Sequence, residues 1–307
     1  MVDLKRDPKG SMAYWNTWTE FSESTIEAMW RQVRDGIENE AYKPRFLFDI
    51  ARRHADLMLY RYSRGDAVHS LTSSFEGLLD AWEASDQLGA TVWDEETFAL
   101  RRSWSKNIDF YNLCFRLIGL ATLLDIPEVQ WKRLLALIAN EGEDVILDTV
   151  IAHRSPERGI GSRVCFPKAY GSLHKVLRAE PAERPMLLQK FLEVWFNGLE
   201  LAGPAEMDRA YRTPYWWKSC ADEAHGMKGG YFGCWCVEAA VVAKVLAIDD
   251  LACLPHPHYP GDLLIDGRSP RYEDAASPLE TVEASPGRAE TRSWFGRLLG
   301  KASSKRR

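Results

Sequence analysis

The 307-residue chain has no apolar run long enough to span a bilayer: the longest, 117–124 and 239–248, fall far short of the ~20 residues required. Its first residues, MVDLKRDPKGSM, lack the apolar centre of a signal peptide, so the expected location is the cytoplasm. Cysteine is sparse, and the six residues (Cys114, Cys165, Cys220, Cys234, Cys236, Cys253) form no CxxC pair. A chain of this length builds a core without disulfides, so free, buried thiols are expected. No GxxxxGK[ST] is present, and GIGS at 159–162 lacks the third glycine and preceding strand of a dinucleotide site. GxSxG is absent too, which removes the common hydrolase elbow.

What is present is apolar and aromatic. Hydrophobic residues make up 46% and there are 12 tryptophans, enough for one large core or two smaller ones with indoles inside. The net charge of −5 hides an asymmetry, because six Lys or Arg and no carboxylate lie from Arg292 onward. Residues 1–291 therefore carry 33 basic against 44 acidic side chains. An acidic body repels a phosphate backbone and suits a basic protein partner, so neither nucleic acid nor membrane is expected as a direct ligand.

Helical periodicity dominates. Spacings of three and four predict helices over 25–39, 46–62, 67–84, 98–124 as one long or two nearly continuous helices, 131–138 and 144–151. Others are predicted over 173–177, 186–201, 205–211 and 235–246. Strand-like alternation is scarce, so the expected fold is all-α: two packed helical modules and a disordered C-terminal tail. RSPERGIGSRVCF at 154–166 reads as the connection. The modules are placed at 1–160 and 161–267, with 268–307 as a flexible, low-complexity, basic-ended tail poor in aliphatics and rich in Pro, Ser and Glu. Residues 114–126 and 236–248 align on Cys, Ala, Leu and a closing Ile, a faint sign of internal duplication.

Few residues suggest chemistry. His256 and His258 in HPH could share a metal ion, but no further ligand stands at usual spacing beyond Asp262, so a turn with exposed or hydrogen-bonded imidazoles is expected. Cys234 and Cys236 read as small buried hydrophobes. Glu238 is the only carboxylate between Gly229 and Ala247, on a helix apolar nearly all round. Such a group must be paired, and Tyr, Trp or Arg donors such as Arg212 are expected around it. A general-acid role would need a second carboxylate that the sequence does not place. Glu141, Glu143, Asp144 and Asp148 gather at a helix start, where each gains roughly 0.3–1 kcal/mol from the dipole. The same four charges suit capture of a basic partner and form the expected binding patch.

GYFGCWCVEAAVVAKVLAIDD at 230–250, followed by HPHYPGDL at 256–263, resembles the C-terminal module of the PoNi family, the polymorphic-nuclease immunity proteins of bacterial toxin systems. The shared order is aromatic pair, Gly, Trp, Glu-Ala-Ala helix, Ile-Asp-Asp, then Tyr-Pro-x-Asp-Leu. Cys234, His258 and Gly261 stand where the family usually carries Tyr. The resemblance implies an all-α protein without catalytic role, metal or cofactor, which neutralises a cognate toxin, typically a DNase delivered by a type VI or similar secretion system. It also implies that Trp235, Glu238, Tyr259, Pro260 and Asp262 are structural. Two other classes stay open on the residues alone: a helical glycosidase of the α/α-toroid kind, and a helical adaptor for a non-toxin partner.

Overall fold

The computed structural model describes residues 4–37 and 39–274. Among them are twelve α-helices, four short 3-10 turns and no strand; the single antiparallel bridge joins Lys5 and Tyr272. The fold is all-α, as the periodicity implies.

The first helix, α1 (Met12–Asp35), begins 13 residues before the predicted segment. Ser11 caps it by accepting from the Tyr14 N–H, and its first turns bury Trp15 against Tyr60 and Tyr231. Aromatic packing across the chain therefore supports turns whose own apolar period is weak. Next, α2 (Lys43–Arg64) ends at Gly65 in a left-handed conformation, and α3 (Ser74–Val92) follows a 3-10 turn over Val68–Ser73.

Residues 98–124 are not continuous helix. Between α4 (Glu95–Arg101) and α5 (Ile108–Leu123), the Asn107 side chain accepts from the Phe110 N–H and donates to the Arg101 carbonyl, closing one helix and opening the next. Two further helices, α6 (Glu128–Ile138) and α7 (Val145–Ala152), complete the first half.

The second half contains α8 (Pro167–Arg178), α9 (Arg184–Leu199), the short α10 (Trp217–Ala221) and α11 (Glu223–Gly226), and α12 (Val237–Val245). The predicted helix over 205–211 reduces to a 3-10 turn at Arg209–Tyr211. A reciprocal pair of bonds, Gly203 N–H to the Arg212 carbonyl and Arg212 Nε to the Gly203 carbonyl, holds this stretch as a loop.

Residues up to Glu273 form one compact unit. At its centre α5, buried over almost its whole length, packs on α12; a Cβ on Gly119 would sit 2.7 Å from a Val237 methyl, so the small residue sets how closely these helices approach. Both helices end alike. Asp125 and Ala247 take positive φ (50° and 48°), and the Ile126 and Ile248 N–H groups bond back five residues to the Ala121 and Ala243 carbonyls. These are the aligned positions of the sequence repeat.

Residues 268–273, assigned to the tail by composition, belong to this unit, held by ion pairs and the Lys5–Tyr272 bridge, and Ser269 is buried. The rest of the predicted tail, from residue 275, lies outside the described residues.

Candidate functional site

Of the four carboxylates expected to form a surface patch, two are in the interior. Asp144 is the N-cap of α7: its Oδ1 accepts from the Ile146 and Leu147 N–H groups and the Tyr111 hydroxyl, and its Oδ2 from the Cys165 N–H. Asp148, one turn on, accepts from the backbone N–H of Gly142, Asp144 and Gly161 and from Arg158 Nε at 2.8 Å. Both have no exposed surface, and burial pushes the Asp148 carboxyl up against the opposing pull of Arg158. A helix-start acid with no solvent contact cannot be a rim charge, so Asp144 and Asp148 are not part of a surface patch. Together they hold the loop 158–165 over the start of α7. Glu141 and Glu143 do reach the surface, Glu141 accepting from the Gly159 N–H and Glu143 paired with Arg163.

The 235–262 motif residues are interior as well. Trp235 donates from Nε1 to Ser63 Oγ (2.8 Å) and meets Tyr62 edge to face at 5.1 Å. Glu238 Oε1 accepts from Asn112 (3.0 Å) and the Tyr170 hydroxyl (3.1 Å). Burial raises this carboxyl, opposed chiefly by the charge of Arg116, and Oε2 has no partner. Arg212, expected as its partner, bonds the Gly203 carbonyl instead. The Tyr259 hydroxyl donates to Asp250 (2.7 Å), and Pro260 is buried beside it.

Asp262 is the hub of the other end of the chain. It accepts from Arg6 Nε and Arg271 Nη2, both at 2.6 Å, and from the Ser269 N–H. Arg6 also donates to the Tyr62 and Asp66 carbonyls and pairs with Asp266. The Tyr-Pro-x-Asp-Leu run thus ties residues near both ends of the compact unit to α2.

His258 shares a hydrogen bond through Nδ1 with the Cys234 carbonyl at 2.8 Å, and His256 Nδ1 accepts from the His258 N–H. Among the described residues no group of three or more His, Cys, Asp or Glu is arranged to hold a metal ion. All six cysteines are free thiols, and burial raises Cys114, Cys165, Cys234, Cys236 and Cys253, opposite to what a reactive thiolate needs.

An open cleft of about 170 Å³ lies where α1 and α2 meet the segment 215–232. Arg53 and Asp56 line it, with Asp56 accepting from the Tyr215 hydroxyl at 2.8 Å. Behind its aromatic wall Arg116, 2% exposed, packs over the ring of Trp216. None of these charges was singled out from the sequence. Arg116 carried the same signal as Glu238, a lone charge in an apolar helical run, whereas Arg53 and Asp56 sit among other charges on α2 and carried none.

The fold and this arrangement define an all-α protein whose motif carboxylates hold helices and chain ends together. Two family models match it: PoNe immunity protein (PoNi), N-terminal, over residues 6–136, and PoNe immunity proteins (PoNi), C-terminal, over residues 142–263. The chain belongs to the PoNi family, and membership implies a cognate toxin as partner. No curated protein matches the sequence. Among solved structures it is similar to protein PA2201 from Pseudomonas aeruginosa, with a TM-score of 0.62 and 18% identity over 86% of this chain and 91% of that one, a likeness of fold. Among the described residues no helix is long and apolar enough to cross a membrane.

Proposed function

We propose that this protein binds and neutralises a cognate nuclease toxin in the cytoplasm, the toxin being a DNase effector of a type VI or similar secretion system, and that it does so by occupancy without chemistry of its own. The observation that carries the reading is the match of both halves of the chain to the two PoNi models. The acidic body, 44 carboxylates against 33 basic side chains over residues 1–291, supports it, because a DNase presents a basic face to its substrate and long-range attraction speeds capture. Glu141 and Glu143 are the members of the acidic cluster available to such a partner; Asp144 and Asp148 contribute by holding the loop beside them.

Co-expression with a nuclease toxin gene found beside its own tests the reading. The pair is expected to copurify and the protein to restore growth of cells making the toxin. Failure of both would refute it.

A further inference from the structure

Two cysteines from different parts of the second half meet beside the cleft. Cys220 lies on α10 and is half-buried, whereas Cys234 lies in the irregular stretch ahead of α12 and is buried. Their thiols are in hydrogen-bond contact with each other.

The turn between them brings them together. The N–H groups of Gly229, Gly230 and Tyr231 all bond back to the Gly226 carbonyl, which reverses the chain. The returning stretch runs tight against α10: a Cβ on Gly226 would fall 2.1 Å from the Ser219 carbonyl oxygen, and one on Gly230 would fall 2.6 Å from Ser219 Oγ. From outside, the Tyr14 hydroxyl of α1 holds the turn through the Gly226 carbonyl at 3.3 Å and the Tyr231 carbonyl at 2.7 Å. Packing therefore fixes the approach of the two cysteines. A disulfide fails where paired side chains lie apart or point away from each other, and neither holds for thiols already in contact.

The other four cysteines each lack one requirement. Cys114, Cys236 and Cys253 have no exposed surface and are out of reach of a dissolved oxidant. Cys165 is half-buried like Cys220, but its Sγ donates to the Glu143 carbonyl rather than meeting a second thiol. Only Cys220 combines an opening to solvent with a cysteine partner among the described residues.

We infer that Cys220 and Cys234 form a peroxide-responsive dithiol site that closes to a disulfide. The Cys220 sulfur, as thiolate, attacks one oxygen of a hydroperoxide. The O–O bond breaks, Cys220 becomes a sulfenic acid, and the other oxygen leaves and takes up the proton that Cys220 gave up. The Cys234 sulfur then attacks the Cys220 sulfur, the S–O bond breaks, and the departing hydroxide takes the Cys234 proton and leaves as water. Two thiols are oxidised to one disulfide, and hydrogen peroxide is reduced to two waters. A small dithiol reverses the bridge by exchange. The bridge closes a loop over 220–234, the stretch that supplies Gly229, Gly230 and Phe232 to the cleft, and so fixes that wall. The inference stands apart from the identity of any toxin.

The test uses the full-length protein, reduced and then treated with a modest excess of hydrogen peroxide. Thiols titratable in denaturant are expected to fall from six to four as one bridge forms, and dithiothreitol is expected to restore all six. Peptide mapping without reduction is expected to join Cys220 to Cys234. The bridged protein is expected to melt about 4 °C or more above the reduced one, because a cross-link restricts the unfolded chain. Cys220→Ser, at a half-buried position, is expected to fold as the parent does and to form no bridge, whereas Cys165→Ser is expected to form it as the parent does.

Six thiols left intact by peroxide would overturn the site. So would oxidation of Cys220 onward to sulfinic acid without a bridge, a bridge between two molecules, or a bridge between any other two cysteines.

Discussion

Trp235 and Asp148 illustrate two ways in which one side chain supports this protein. Trp235 fills volume: it is buried, edge-on to Tyr62, and its indole N–H satisfies Ser63 Oγ. Trp235→Ala is expected to cost about 3–5 kcal/mol, measured by denaturant unfolding, because the cavity cannot collapse between α2 and its neighbours. Asp148 instead satisfies donors. Removing its carboxylate leaves three backbone N–H groups and the Nε of a nearly buried Arg158 without an acceptor, so Asp148→Ala is expected to cost about 3–5 kcal/mol as well. Glu238 should behave differently. Its carboxyl is already raised by burial and Oε2 has no partner, so Glu238→Gln removes a charge that the interior disfavours while keeping an acceptor for Asn112 and Tyr170. A change below about 1.5 kcal/mol is expected in the same assay; a loss as large as that of Asp148→Ala would show that the charge itself matters.

At the scale of elements, the interface of α2 and α3 holds a pH-sensitive group. His54 lies against Gly77 of α3, both ring nitrogens are without hydrogen-bond partners, and burial lowers its pKa from 6.5 to about 4, with Asp80 opposing. The folded state therefore holds the imidazole neutral, while the unfolded chain protonates it near pH 6.5. Stability from this group is complete above pH 6.5 and is lost as the pH falls from there to about 4, where the folded protein takes up the proton too. The parent is expected to lose stability relative to His54→Leu across that window, as read from unfolding midpoints at stepped pH. Equal pH profiles would contradict the assignment.

Across the whole molecule, residues from the two ends of the compact unit are joined. Arg6 and Arg271 converge on Asp262, Arg268 pairs with Asp250, and the Lys5–Tyr272 bridge lies alongside. A chain ending at residue 267 is expected to melt at least about 4 °C below one ending at residue 274, given roughly 2–4 °C per kcal/mol for a domain of this size. Equal melting of the two chains, followed by calorimetry, would show that these contacts add nothing to stability.

Local pattern was enough for part of this architecture. Helical class followed from spacings of three and four, because an amphipathic period is a property of neighbouring residues and needs no partner to be visible. The helix start at Asp144 belongs to the same level, since a cap is chosen within a few residues of the bonds it makes, whereas the break at Asn107 inside 98–124 was not read. That Glu238 must be satisfied by something followed from its apolar setting, whereas a structural role for Tyr259, Pro260 and Asp262 came from the family resemblance alone. What satisfies them lay beyond reading: Asn112 and Tyr170 for Glu238, Ser63 for Trp235, and Arg6 for Asp262 are 68 or more residues away along the chain. The burial of Asp144 and Asp148 was hidden for the same reason, because charge and helix position are identical for an exposed cap and a buried one, and only the loop 158–165 closing over α7 distinguishes them. The cleft belongs wholly to the tertiary structure: Arg53 of α2, Arg116 of α5, and Tyr215 and Gly229 of the segment 215–232 come from three separate parts of the chain, and their convergence is set by packing, which no one of them encodes alone.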